Sequence, residues 1–148
     1  MEYRRHFTSR FIPHLLSTPF IWAPLPFFIL LDIIVEIYHH SCFPLYHIEK
    51  VKRSEYIQVL DRNKLRYLDP IEKLGCMYCG YANGLLLYTK EIAGRTEKYW
   101  CGIMHEKKPG FKDQDDHIKN EFTPFGDEIA FHQNYPKDKQ ESYNNEVN

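Results

Sequence analysis

A chain of 148 residues, 43% hydrophobic and 26% charged, is sized for one main core and too short for two comfortable ones. Its formal charge of −1 excludes a global positive field of the kind that draws proteins to nucleic acid. Residues 1–105 carry 13 Lys/Arg against 10 Asp/Glu, a net of +3, while residues 106–148 carry 6 against 10, a net of −4.

The opening holds Arg4, Arg5, His6 and Arg10. The most apolar stretch follows, with 17 residues free of formal charge from Leu15 to Leu31, the lower limit for a helix that spans a bilayer. Pro19, Pro24 and Pro26 interrupt it and argue against one straight spanning helix. Pro26 suits the first turn of a helix running to about His40, with Ile29, Leu30, Ile33, Ile34 and Ile37 apolar and Asp32, Glu36 and His40 spaced by four. Two readings of the segment compete. One is a core helix entered through an irregular Pro-rich loop. The other is an interfacial element with Trp22 at headgroup level and Arg4, Arg5 and Arg10 on anionic lipid. The second is preferred, because so many apolar residues fall outside any periodic face. No small-residue cleavage site follows this stretch, so it does not look like a cleavable leader. A reduced, cytosol-facing setting is expected.

Glu36-x-x-His39, with Asp32 one turn earlier, has a spacing used by carboxylate di-iron bundles, and Glu91 and Glu97 would be available to face it. Only one such motif occurs where those proteins use two, and a polar helix face is the simpler reading. Lys50, Lys52 and Arg53 form a basic cluster, either solvated or lipid-facing. Tyr56 to Leu60 is a short strand candidate, and Asp61 is placed to cap the turn after it.

Asp69, Pro70 and Glu72 carry a helix-start signature, and the sequence predicts a helix from Pro70 to about Trp100. Cys76, Gly80 and Gly84 recur every four residues, a ridge of small groups against which the Pro26–His40 helix is expected to pack. Cys76-Met77-Tyr78-Cys79-Gly80 admits another interpretation. A Cys-x-x-Cys-Gly turn is the shape of a metal knuckle and partly resembles those of rubredoxins and zinc ribbons. Cys101 and His105 would complete a Cys3His set suited to zinc, with iron as the alternative. The two interpretations exclude each other: on one continuous helix Cys79 and Cys101 stand about 33 Å apart and share no ion.

The strings "LLDIIVEIYHHSCFPLY", "DRNKLRYLDPIEKLGCMYCGYANG" and "EIAGRTEKYWCGIMH" resemble a group of small, uncharacterised bacterial proteins. That group carries Pro and Lys where Gly102 and Met104 stand here. The resemblance implies relatives and carries no activity over.

From Glu106 the chain is polar. Phe122, Phe125, Ile129 and Phe131 would dock one short segment, His117 and His132 are expected at the surface, and the last ten or so residues are expected to be disordered. The sequence thus predicts a mainly α protein with two principal packed helices, about 26–40 and 70–100, a short extended segment and a loose acidic C-terminal tail. Residues 1–105 would form the helical domain and 106–148 the tail. The expected function is that of a non-enzymatic, membrane-associated accessory or interaction protein on the cytoplasmic face, with anionic lipid and a further protein as partners and no nucleic acid, and with a structural metal at Cys76, Cys79, Cys101 and His105. A metal-dependent oxidoreductase, using iron or zinc at Asp32, Glu36 and His39 or at the cysteines, is the alternative.

Overall fold

The computed structural model describes residues 11–136 apart from Asp69 and Asp113. The basic opening, the cap expected at Asp69 and the end of the tail lie outside the described residues. The protein is mainly helical, with no strand among the described residues. In chain order come α1 (Phe11–Trp22), α2 (Leu25–Leu45), α3 (Pro70–Trp100), α4 (Asp115–Lys119) and α5 (Glu128–Asn134). Two compact units divide within α3, Met1–Tyr88 and Thr89–Asn148.

The prolines do less damage than expected. Pro19 lies inside α1 and Pro44 inside the last turn of α2, so the predicted irregular entry is a helix and α2 outruns His40. Each proline removes one donor, but helical bonding resumes around the break: the Ala23 amide donates to the Pro19 carbonyl at 2.9 Å and the Phe28 amide to the Pro24 carbonyl at 3.0 Å. Pro24 itself keeps helical dihedrals, φ −70° and ψ −16°. From α3, the Tyr78 hydroxyl donates to the Ile21 carbonyl at 2.7 Å, and its ring stacks on Trp22 with centroids 4.8 Å apart.

Tyr78, Tyr81, Leu85 and Tyr88 recur at intervals of three and four, one face of α3. In the first unit Leu85 and Tyr88 are buried together with Val35, Phe43 and Val51. The neighbouring face of α3 carries Gly80 and Gly84, and what lies on it is not α2. A Cβ at Gly80 would stand 2.8 Å from the Gln58 carbonyl oxygen, and one at Gly84 would stand 2.6 Å from that of Tyr56 and 2.9 Å from the Ile57 Cα. The ridge therefore takes the bare backbone of residues 56–59. The strand expected at Tyr56–Leu60 is instead a single segment without strand pairing, entered by a 3₁₀ turn at Arg53–Glu55 and left by another at Arg62–Lys64. Asp61 does cap the latter, its side chain accepting from the Arg62 amide at 2.8 Å.

In the second unit α3 ends where Gly102 turns left-handed (φ +52°), with the Cys101 and Gly102 amides both donating to the Glu97 carbonyl, at 2.8 and 2.9 Å. The turn leads into a parallel bridge between Ile103 and Thr123. Here the Thr123 amide donates to the Gly102 carbonyl at 2.7 Å and the Met104 amide to the Thr123 carbonyl at 2.8 Å. Phe122 and Thr123 are buried, while Phe125 and Ile129 remain exposed. Tyr135, just past α5, donates its hydroxyl to the Lys98 carbonyl at 2.5 Å, and any side chain at Gly102 would collide with that phenol.

Candidate functional site

In the first unit the polar face of α2 meets the 3₁₀ turn at Arg53. Arg53 donates through Nη2 to Asp32 Oδ2 at 2.8 Å and through Nη1 to Asp32 Oδ1 and, at 2.8 Å, to Glu36 Oε1. A planar guanidinium suits such a forked contact. Tyr81 adds a hydrogen bond to Asp32 Oδ2 at 2.9 Å; burial, together with that carboxylate, pushes its phenol up to about 12. The Arg53 guanidinium also lies 5.8 Å from the centroid of the Tyr88 ring, within cation–π range. Of the basic cluster, Lys50 and Lys52 are exposed, but Arg53 is engaged with Asp32 and Glu36.

His39, buried beside this cluster, is fixed at both ring nitrogens. The Val51 amide can only donate, and it reaches Nε2 at 3.0 Å, so Nε2 carries the lone pair. The neutral ring then holds its proton on Nδ1, 3.0 Å from the Tyr88 hydroxyl. Tyr88 in turn donates to Glu36; burial foremost, then the Glu36 charge and this bond, push its phenol up to about 12. The chain Val51 amide to His39 to Tyr88 to Glu36 satisfies every group in it. Glu36, His39 and His40 bring ligand atoms within 4.8 Å of one another, yet His39 has no lone pair left to offer an ion, and Glu36 already accepts from Arg53 and Tyr88. The arrangement holds the fold together and fixes one tautomer.

Among the described residues of the second unit, two polar clusters stand out. Glu91, only 5% exposed, accepts from Arg95 Nε at 2.9 Å and Lys119 Nζ at 3.1 Å. Burial alone would raise its pKa; the hydrogen bonds from Lys119 and Arg95 outweigh that and hold it below the usual carboxylate range. A carboxylate lowered in the folded state stabilises fully above its unfolded pKa, and that stability is lost as pH falls through the folded one. Glu91→Gln is therefore expected to cost about 1–2 kcal/mol at pH 7. The difference in melting temperature from the parent should shrink steadily as the pH is lowered from about 5, and a difference independent of pH would refute this.

The other cluster joins Glu97, His105 and His117, whose ligand atoms lie within 4.8 Å of one another. His117 is buried, not at the surface as expected. Its ring is 2% exposed, stacks on Phe122 with centroids 4.3 Å apart and places Nε2 3.1 Å from Glu97 Oε2. His105 stands next to it, with ring centroids 5.4 Å apart, and meets Phe111 edge-on. Composition and spacing missed this trio because its members come from α3, the bridge segment and α4. The hints available were His105, conspicuous four residues after Cys101, and Glu97, noted as available to face a metal motif elsewhere.

The four residues expected to share an ion are divided between the two units, Cys76 and Cys79 in the first and Cys101 and His105 in the second. Cys76 and Cys79 lie near the start of α3, and Cys101 immediately follows its last residue. The chain between Cys79 and Cys101 is helical as far as Trp100. All four cysteines are free thiols. Glu91 and Glu97 are likewise occupied within the second unit, by Arg95, Lys119 and His117. Comparison of the chain with protein-family models, with curated proteins and with solved structures found no match.

Proposed function

We propose that the protein is a non-enzymatic, membrane-associated accessory protein that docks on anionic lipid at the cytoplasmic face through α1 and the first turns of α2. The observation that carries this is the apolar surface these helices leave uncovered. Phe20 is 80% exposed, Phe27 73% and Ile37 63%, with Leu16, Leu30 and Ile33 more than half exposed between them. Soluble monomers rarely expose a contiguous apolar patch beyond a few hundred Å². Leu15–Leu45 is also long and apolar enough to cross a membrane by length and composition, and the Tyr78 bond to the Ile21 carbonyl supplies from a neighbouring helix the kind of partner that backbone near a proline break needs in lipid. The Asp32–Arg53 cluster, on the other face of α2, keeps its charges paired within the protein.

Flotation with anionic liposomes tests the reading. The full chain is expected to float at low salt, and folded, monomeric protein remaining at the bottom of the gradient would overturn it. The oxidoreductase alternative draws no support from Asp32, Glu36 and His39, whose donor atoms are spent on Arg53, Tyr88 and the Val51 amide.

A further inference from the structure

We propose that Glu97, His105 and His117 form a zinc site of two imidazoles and one carboxylate, independent of the cysteines. Two donors that both bind zinc at 2.0–2.1 Å with a tetrahedral angle stand about 3.4 Å apart. Glu97 Oε2 and His117 Nε2, at 3.1 Å, are already at that separation. The hydrogen bond between them needs the proton that zinc would displace from Nε2, so the ion takes the proton's place once the ring and the carboxylate turn slightly to aim at a shared point beside the line that joins them.

Three features hold this pair in place. Glu97 sits in the last turn of α3, its carbonyl taking the Cys101 and Gly102 amides. The His117 ring is clamped against Phe122, and the Phe122 amide donates to the His117 carbonyl at 2.9 Å. The Ile103–Thr123 bridge ties the strand of chain that carries His105 to the residue following Phe122. His105 is the adjustable member. It is exposed, and closing from at most 4.8 Å to ligand spacing requires a shift of no more than about 1.4 Å, within reach of a side-chain rotation. Of the nearby cations, Arg95 and Lys119 are paired with Glu91, while Lys98 keeps its charge and donates to the Glu121 carbonyl at 2.6 Å. Because His105 and part of Glu97 face solvent, a fourth position remains open to water, the pattern of three protein ligands seen where zinc activates a water or anchors a partner's side chain.

Equilibrium dialysis of the full chain, stripped with chelator and then exposed to zinc alone, tests the assignment. One zinc per chain is expected for the parent and for the triple variant Cys76→Ser, Cys79→Ser, Cys101→Ser. Binding should weaken at least tenfold in His105→Ala, whose exposed ring can be removed with the fold intact, and equally in Glu97→Gln. Absence of zinc from the parent, its loss from the triple serine variant, or undiminished binding in both His105→Ala and Glu97→Gln would each overturn the proposal.

Discussion

Gly84→Ala is expected to lower the stability of the protein by about 1–3 kcal/mol, the reverse of what alanine does at an open helical position. Alanine there gains up to about 1 kcal/mol over glycine from backbone entropy. At Gly84 the added methyl would lie 2.6 Å from the Tyr56 carbonyl oxygen and 2.9 Å from the Ile57 Cα. Both are backbone atoms, so no side-chain rotation relieves the overlap and residues 56–57 must move away from α3. Gly80→Ala meets the Gln58 carbonyl at 2.8 Å and should behave alike, and leucine at either position should be worse. Gly75 supplies the control on the same helix: a Cβ there has nothing within 4 Å, and Gly75→Ala should raise the melting temperature. Equal, stabilising shifts for alanine at positions 75, 80 and 84 would show that residues 56–59 do not lie on the ridge.

Removing Arg53 should have the second large effect. Arg53→Met leaves Asp32 and Glu36 facing each other one helical turn apart with no cation between them, and Asp32 is only 14% exposed. Breaking a fully buried pair from one side costs about 3–5 kcal/mol. Arg53 is 39% exposed, so solvent screens part of this and about 2 kcal/mol is expected. Lysine should restore little, since a point charge cannot fork between Asp32 and Glu36. The triple change Asp32→Asn, Glu36→Gln, Arg53→Met should recover much of the loss, because it removes the unpaired charges together. Denaturant melts of Arg53→Met, Arg53→Lys and the triple variant decide this. An Arg53→Met stability within roughly 0.5 kcal/mol of the parent, a surface-like effect, would place Arg53 outside the cluster.

What the sequence revealed and what it hid follow from the range of the forces involved. Pro70 and Glu72 are local signals, and the long helix they begin runs to Trp100 as expected. Cys76, Gly80 and Gly84 announced a close approach, since small residues every four positions make a groove. Nothing local determines whether a helix or a bare loop backbone fills it, and residues 56–59 took the place assigned to α2. Pro19 misled in the other direction: one missing donor weakens a helix without ending it when apolar residues on both sides favour its continuation. Arg53 looked like part of a solvated cluster because its partners, Asp32 and Glu36, are 17 and more positions away. The burial of His117 is invisible in the sequence for the same reason. Its burial depends on Phe122 and on Glu97, 20 residues earlier, and no periodicity in the polar tail signals either contact. The Cys-x-x-Cys pair was the loudest motif, and both its cysteines lie on the long helix that Pro70 begins.

The central claim, that the bare apolar surface of α1 and α2 faces lipid, is tested most directly by placing a fluorophore on it. Trp22 and Trp100 are the two native tryptophans. Replacing both with Phe and introducing Phe27→Trp, at a position 73% exposed, leaves one reporter at the middle of the surface. In anionic vesicles carrying bromine on their acyl chains, the emission of this single tryptophan should shift to the blue and be strongly quenched, while aqueous iodide should quench it less than in the absence of lipid. Emission that stays red and iodide-accessible, untouched by brominated lipid in folded protein, would contradict the account.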